Sequence, residues 1–312
     1  MTRHYLIVNP VAGRGAADKA VPAIEDHLRR HGQQFDLVRT ERPWHAAELA
    51  REAVRQGYDV VVAVGGDGTA NEVLNGLMSA KEEGVGTAAM GMISVGRGND
   101  FAYGAGVPQG AEAGCEILAK GHRRLMDVGR VTGGLYPQGR YFGNGVGIGF
   151  DAVVGFEALK MKRLSGAPSY LVAALKTIFL YYTAPTVRVE YEGRDETLSP
   201  LMISIMNGRR MGGMFQMAPQ SLNDDGLFDL CVAGQTSKMR ILGLIPYFVK
   251  GTQATQPEIQ TARTSRLVVT ALKGALPAHG DGETLCTEGQ QLTLELLPLQ
   301  IEVLCQPGEE AA

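Results

Sequence analysis

The strongest constraint on the fold is a run of five apolar residues, 60–64, that leads directly into Gly-Gly-Asp-Gly-Thr at 65–69. A short apolar run bounded by glycine is typical of a strand buried on both faces, as in parallel sheets covered by helices. The residues that follow predict a helix beginning at Thr69. A strand, a glycine turn and a helix N-terminus place free backbone N–H groups where phosphate oxygens can bind.

The first 128 residues alternate short apolar runs with amphipathic stretches, which predicts an α/β domain with a mostly parallel sheet. Strands are predicted at 4–8, 35–38, 59–64 and 89–95, and helices at 16–31, 45–56, 69–79 and 111–120. Over 129–297 the pattern changes to hairpin-like alternation with glycine-containing turns, which predicts a β-rich second domain. Its strands are predicted at 140–142, 186–191, 198–206, 227–232, 267–270 and 292–296, with helices near 152–164 and 170–181.

Composition excludes several classes of function. With 312 residues and a formal net charge of -3, the chain has no basic excess of the kind that holds nucleic acid. Its four cysteines lie far apart without metal-binding spacing, which is typical of reduced core thiols in a cytoplasmic protein. The longest apolar stretches, 170–182 and 241–249, fall short of the roughly 20 residues that a membrane-spanning helix needs. A lipid would therefore have to be reached from one side of the membrane.

Three glycine-containing turns follow predicted strands and lie at one edge of the predicted sheet. They are 9–15, 65–69 and 96–102. The Asp67 carboxylate would repel phosphate unless it faced a cation, so it fits a magnesium–nucleotide site better than a simple anion site. A strand-end carboxylate alone more often caps a turn or a helix, but the appearance of several at strand ends beside glycines favours a metal site. The further strand-end carboxylates are Asp100, Asp127, Asp224 and Asp225.

The motif His-Gly-Asp-Gly-Glu at 279–283 places two carboxylates, Asp281 and Glu283, in one turn. Phosphoryl transfer to an alcohol needs a base that accepts the hydroxyl proton, and a carboxylate on a turn suits that task. A solvated hairpin turn of the Asp-Gly type explains the motif equally well when it is judged alone. The chain has neither a GxxxxGK[ST] motif nor the HRD and DFG motifs of protein kinases, which excludes the two commonest phosphoryl-transfer families.

In chain order, the motifs resemble those of the bacterial diacylglycerol kinase catalytic-domain family of soluble lipid kinases. The matching segments are NPVAGRG at 9–15, Thr40, GGDGT at 65–69, GRGNDFA at 96–102, the region of Asp127, GGMFQMAPQSLNDDGLFDL at 212–230 and HGDGE at 279–283. GGDGT alone is shared with NAD kinases and 6-phosphofructokinases, whereas its combination with the later motifs is much more specific. The resemblance implies a Rossmann-like first domain, a β-sandwich second domain, and a C-terminal segment, at about 298–306, that returns to the first domain.

The resemblance also implies roles for individual residues. Nucleotide contacts are implied for Asn9, Gly13, Thr40, Gly66, Asp67, Gly68, Thr69, Glu72 and Asn99. Asp281 and Glu283 are implied as the catalytic pair, and which of them is the base stays open. A structural magnesium ion is implied at the Asp225 carboxylate and the backbone carbonyls of Leu222 and Leu227. Asp100 and Asp127 would connect that ion to the nucleotide through water.

Two positions depart from the family pattern, which usually has proline early in the third motif and threonine before NDFA. Here those positions are Ser94 and Arg97. A long cation thus replaces a hydroxyl at Arg97, which would either bind the phosphate of the nucleotide directly or alter how nucleotide is handled.

These observations predict a magnesium-dependent lipid kinase that transfers the γ-phosphoryl group of ATP to a hydroxyl of a diacylglycerol-like lipid. Two alternatives stay open: a soluble-substrate kinase of the NAD kinase type, and a nucleotide- or lipid-binding regulator with weak or no kinase activity. A cytoplasmic location with transient contact at the inner face of the membrane is expected. Basic and apolar residues alternate over 156–182, which suits an interfacial helix or a helix covering the β-rich domain. The identity of the lipid and the formation of a homodimer are left open.

Overall fold

The computed structural model describes residues 2–96, 98–159, 172, 176–177 and 184–307. Arg97 lies outside the described residues, as do nearly all of the predicted helix at 170–181 and most of the stretch at 156–182. The chain divides into two units, Met1–Asp127 with Leu299–Ala312, and Val128–Pro298. The sequence predicts these boundaries at 128/129 and 297/298.

The first unit is an α/β fold with a parallel sheet. Its elements are β1 (Arg3–Val8), α1 (Ala16–Arg30), β2 (Gln34–Arg39), α2 (His45–Arg55), β3 (Val60–Gly65), α3 (Asp67–Glu82), β4 (Ala89–Ser94), α4 (Asp100–Gly104), α5 (Ala111–Lys120) and the start of β5 (Arg123–Gly133). The strand order is β2-β1-β3-β4, and each neighbouring pair is parallel. The end of the last strand of the chain adds to this sheet, where Val303 pairs in parallel with Met90. The carboxyl ends of β1, β3 and β4 therefore meet at one edge.

The strand β3 explains why helices cover both faces of this sheet, because all of its residues are buried. Val60, Val62 and Val64 share a core with residues of α1 and α5. The helices α2 and α3 pack against each other. A Cβ at Gly76 of α3 would lie 2.2 Å from the carbonyl oxygen of Ala47 in α2, so this close approach requires glycine.

The second unit is an antiparallel β-sandwich. After β5 its elements are β6 (Tyr136–Phe142), β7 (Gly145–Gly149), α6 (Phe150–Leu159), β8 (Thr186–Tyr191), β9 (Arg194–Leu198), β10 (Pro200–Met206), β11 (Phe228–Gly234), α7 (Lys238–Lys250), β12 (Ile259–Thr264), β13 (Arg266–Lys273), β14 (Leu276–Gly280), β15 (Glu283–Gly289) and β16 (Gln291–Leu304). One sheet has the order β12-β11-β10-β7-β14-β15, and the other contains β16-β13-β8-β9. A shared apolar core joins them, with Ile203 from the first sheet and Leu294 from the second. The predicted fold class, an α/β domain followed by a β-sandwich-like domain, is confirmed.

Several elements of the second unit differ from the sequence prediction. The strand β7 consists of Gly-Val-Gly-Ile-Gly, and the low strand propensity of glycine conceals it in the sequence. The helix α7 contains Pro246, which in the sequence resembles an interruption of an apolar stretch. The predicted helix at 152–164 begins at Phe150, and its described part ends at Leu159. Within the described residues, no helix combines the length and the apolar character needed to cross a membrane.

Gly76→Ala is expected to lower the free energy of unfolding by roughly 1–3 kcal/mol, because the added methyl group forces α2 and α3 apart. Gly243→Ala in α7 is the matched control, since Gly243 is exposed and no described atom lies within 4 Å of a Cβ built there. The control should be neutral or slightly stabilising, because alanine favours a helix more than glycine does. Chemical unfolding followed by circular dichroism measures both variants, and equal midpoints would contradict the packing argument.

Candidate functional site

The turn after β1 is tied to the start of α3 and to the turn after β4. Asn9 donates from Nδ2 to Thr69 Oγ1 over 3.1 Å, and its Oδ1 accepts the N–H of Val11 at 3.2 Å. Gly13 has a φ of +60°, and a Cβ there would lie 2.4 Å from the carbonyl oxygen of Val95. The positive φ and the short distance both require glycine at this position.

The turns after β3 and β4 approach each other at two glycines. A Cβ on Gly96 would lie 2.4 Å from the Cα atom of Gly66. Asn99 has a φ of +53° and donates from Nδ2 to the carbonyl oxygen of Gly96 over 3.0 Å. Asp67 Oδ1 accepts the N–H of Phe101 at 3.1 Å. The structure thus brings the predicted nucleotide-binding residues of three turns to one sheet edge.

Two carboxylates converge on Gly98, at the same edge. A Cβ on Gly98 would lie 2.8 Å from Asp67 Oδ2 and 3.5 Å from Asp100 Oδ2. Gly68 lies next to Asp67 in the first turn of α3. Carboxylate oxygens are the ligands that magnesium prefers. The residues present therefore fit a magnesium ion that accompanies a nucleotide.

The other predicted residues of the first unit make contacts that stabilise the fold. Thr40 follows β2 and donates its N–H to the end of β1 at 2.9 Å. Glu72 Oε2 accepts the N–H of Ala46 at 3.1 Å, in the first turn of α2. Asp127 is buried, and its Oδ1 accepts the N–H of Leu299 at 2.7 Å, where the chain returns to the first unit. Their ligand roles stay predictions.

In the second unit, backbone N–H groups hold the Asp281 carboxylate. It accepts three of them, from Gly143 at 2.8 Å and from Asn144 and Gly145 at 3.0 Å each. The N–H of Asp281 donates back to the carbonyl oxygen of Gly145 at 3.0 Å. Asp281 is only 5% exposed and has a φ of +49°. These bonds fix the turn between β14 and β15 against the start of β7.

Glu283 lies on the same turn in a different environment. It begins β15, its backbone pairs with Gly280, and its side chain belongs to an exposed residue. Across the described part of the chain, its carboxylate makes no hydrogen bond or ion pair. An exposed carboxylate without partners is open to a substrate hydroxyl, whereas a buried carboxylate bound by three N–H groups is not. Of the two predicted catalytic carboxylates, that of Asp281 is thus buried and held by the backbone, whereas that of Glu283 is exposed; their catalytic roles stay predictions.

The turn 222–227, which contains the predicted structural magnesium ligands, is in contact with an arginine. Asp225 Oδ1 accepts the N–H of Leu227 at 3.1 Å, and Oδ2 accepts from the guanidinium of Arg263. Arg263 Nε also lies 3.3 Å from Asp229 Oδ1. Both Asp225 oxygens are thus engaged, and the turn as it stands does not fit a magnesium ion. No cluster of three or more His, Cys, Asp or Glu side chains that could hold a metal occurs among the described residues.

A buried carboxyl group and a buried imidazole lie over Gly147, on the sheet that carries Asp281. Gly147 pairs with Ser204 on one side and with His279 on the other. A Cβ on Gly147 would lie 2.3 Å from Asp151 Oδ2 and 2.6 Å from His279 Nε2. Ser204 Oγ donates to Asp151 Oδ2 at 3.2 Å. Burial raises the pKa of Asp151 to about 7 and lowers the pKa of His279 to about 4.

Sequence analysis missed the residues that act through partners distant in the chain. The segment 143–145 binds Asp281, more than a hundred residues later, and Arg263 binds Asp225 from another strand. The Gly-Asn-Gly sequence at 143–145 carries a signal, because glycines often mark backbone that a ligand or a side chain can approach. The sequence around Asp151 does not indicate its environment, because that environment arises only when β7, β10 and β14 pair.

The two units match two families in chain order. Residues 3–131 match the family described as diacylglycerol kinase catalytic domain. Residues 144–305 match the family described as YegS C-terminal NAD kinase beta sandwich-like domain. The chain therefore belongs to the bacterial diacylglycerol kinase catalytic-domain family, and its activity class is that of a lipid kinase.

Curated relatives agree with this assignment, and solved structures share the fold. Diacylglycerol kinase from Mycobacterium tuberculosis is 27% identical over 297 residues, which cover 95% of this chain and 93% of that protein. Diacylglycerol kinase from Bacillus subtilis strain 168 is 27% identical over 272 residues, or 86% of each chain. A crystal structure of a diacylglycerol kinase from Bacillus anthracis strain Sterne has a TM-score of 0.74 and 21% identity, covering 98% of this chain and 97% of that one. The structural likeness shows the fold.

The different contacts of Asp281 and Glu283 predict different effects on stability. Asp281→Ala should lower the free energy of unfolding by about 1–3 kcal/mol, because three buried N–H groups lose their acceptor. Glu283→Ala should change it by no more than about 0.5 kcal/mol, as expected for an exposed side chain without partners. Denaturant unfolding of both variants measures the difference, and a loss of stability in Glu283→Ala as large as that in Asp281→Ala would refute the assignment.

Asp151 and His279 should give stability opposite dependences on pH. The raised pKa of Asp151 gives a contribution that is full below about pH 4 and is lost as the pH rises to about 7. The lowered pKa of His279 gives a contribution that is full above its ordinary value of 6.5 and is lost as the pH falls to about 4. The two effects oppose each other between these limits.

Single substitutions should therefore reveal two slopes of opposite sign. Relative to wild type, the unfolding free energy of Asp151→Asn should rise with pH by up to about 1.4 kcal/mol per unit near pH 5.5. For His279→Gln the difference should fall with pH by a similar amount. Urea unfolding at pH 4.5, 5.5, 6.5 and 7.5 measures both differences, and variants that run parallel to wild type would exclude buried titration at this position.

Proposed function

We propose that the protein transfers the γ-phosphoryl group of ATP, bound with magnesium, to a hydroxyl of a diacylglycerol-like lipid, with Glu283 as the general base. The observation that carries this proposal is the contrast on one turn between Asp281, bound by three N–H groups, and the exposed Glu283. Membership of the family supports the class of lipid kinase. The names of the curated relatives support a diacylglycerol-like acceptor.

In the proposed reaction, Glu283 accepts the proton of the lipid hydroxyl while that oxygen forms a bond to the γ-phosphorus of ATP. The bond between the γ-phosphorus and the oxygen bridging to the β-phosphate breaks, and ADP leaves with that electron pair. Phosphoryl transfer of this kind depends mainly on positioning and on stabilisation of charge. Asp281 fixes the turn that carries Glu283 and so positions the base.

The nucleotide is proposed to bind at the sheet edge of the first unit. The glycine turns and the N-terminus of α3 offer backbone N–H groups to phosphate oxygens. Magnesium bound with ATP would neutralise charge on the phosphate oxygens, and Asp67 and Asp100 are the carboxylates proposed to hold it. Asn9 and Thr69, already joined by a hydrogen bond, keep the first two turns in register.

The proposal is tested by transfer of labelled phosphate from ATP to a total lipid extract in magnesium-containing mixed micelles, with the labelled products resolved. Wild type should label one class of lipid with a free hydroxyl. Glu283→Gln should reduce kcat by roughly 10²- to 10⁴-fold, the usual contribution of a general base, with an unchanged melting temperature. Glu288→Gln, an exposed position on the same strand β15, is the matched control and should retain wild-type activity.

Other outcomes decide against the proposal. Transfer to NAD without lipid would identify a soluble-substrate kinase. Binding of ATP without transfer to any lipid alcohol would identify a regulator. If Glu283→Gln phosphorylates lipid as fast as wild type, the lipid kinase activity stands, and the assignment of Glu283 as the general base is refuted.

A further inference from the structure

The turn 222–227 carries a cation that belongs to the chain itself. Asp225 has two carboxylate oxygens, and each one already accepts from an N–H group. Oδ1 accepts the N–H of Leu227 at 3.1 Å, which closes the turn locally. Oδ2 accepts from Nη2 of Arg263, which comes from another strand.

The backbone register of the sheet sets the position of this arginine. Arg263 on β12 is the cross-strand partner of Asp229 on β11, and β11 begins just after the turn. From that position its guanidinium reaches both carboxylates, with Nε 3.3 Å from Asp229 Oδ1 and Nη2 on Asp225. Asp229 Oδ2 is buried, so the pair of carboxylates needs positive charge nearby. Arg263 supplies that charge through two nitrogens of one planar group.

We propose that Arg263 takes the place of a divalent metal ion at the turn 222–227, so that the turn is ordered without magnesium. Magnesium demands an octahedral shell of oxygen ligands and is reluctant to give up water. A second cation on the Asp225 carboxylate would also be repelled by the guanidinium. The magnesium requirement of the reaction then arises from the nucleotide alone.

The test is thermal unfolding of the full chain without nucleotide or lipid, in EDTA and in 10 mM magnesium chloride at matched ionic strength. Wild type should melt at the same temperature in both buffers. Arg263→Gln should melt about 2–4 °C lower than wild type in EDTA, since Asp225 and Asp229 lose their counter-charge. Magnesium should raise the melting temperature of this variant, because the freed Asp225 carboxylate then becomes available to the ion.

Arg266→Gln is the matched control for loss of one arginine in this region. Arg266 begins the next strand, β13, and forms an exposed pair with Glu295 at 3.1 Å. Its substitution should leave the melting temperature unchanged in both buffers. A change as large as that of Arg263→Gln would show that general loss of charge is responsible and would overturn the proposal.

Two further results would overturn it. One is a rise of the wild-type melting temperature with magnesium that Asp225→Asn removes. The other is an Arg263→Gln variant as stable as wild type in EDTA. If that variant is recovered in too small an amount, calorimetric titration of magnesium into nucleotide-free wild type decides alone, since measurable binding that Asp225→Asn abolishes contradicts the proposal. None of these measurements uses kinase activity, so they stand apart from the proposed reaction.

Discussion

Close approach of backbone to backbone at glycine positions is the constraint on which the turns of the first unit and the Asp281 turn of the second unit each depend. In the first unit, side chains at Gly13 or Gly96 would collide with the carbonyl of Val95 or with Gly66. In the second unit, the segment 143–145 approaches the turn between β14 and β15 closely enough for three N–H groups to reach the Asp281 carboxylate. The same property that lets chain segments meet also leaves N–H groups open to phosphate oxygens or carboxylates. In this fold, packing of the turns and binding chemistry therefore have one physical origin.

The sequence predicts the first unit well because each element there has a local signal. A buried strand such as β3 is a continuous apolar run, and the turn after it is marked by glycine and aspartate. The helix α5 was predicted with its observed bounds, 111–120, since Gly121 ends it in the left-handed conformation. The short helix α4 was missed, because the residues after Asn99 form only one turn of helix and give no periodic pattern.

The second unit was harder to predict because its elements depend on partners rather than on local pattern. The strand β7 has glycine at every second position, and only pairing with β10 and β14 makes it a strand. Polar contacts across the sheet follow from the same pairing. Asp151 meets His279 over Gly147, and Arg263 meets Asp225, only after the strands have their register. These contacts involve long sequence separations, and no spacing rule in one sequence reveals them.

The choice of base follows from how each predicted carboxylate is occupied. Asp67 and Asp127 each accept one backbone N–H, Asp281 accepts three, and Asp225 accepts one together with an arginine. Carboxylates held in this way fix turns and strands, because their oxygens accept N–H groups of the chain itself. Glu283 is exposed and has no such contact with the described chain, so its carboxylate is available to a substrate hydroxyl. Asp281 and Glu283, separated by a single glycine, thus lie in different environments, a difference that the motif alone does not express.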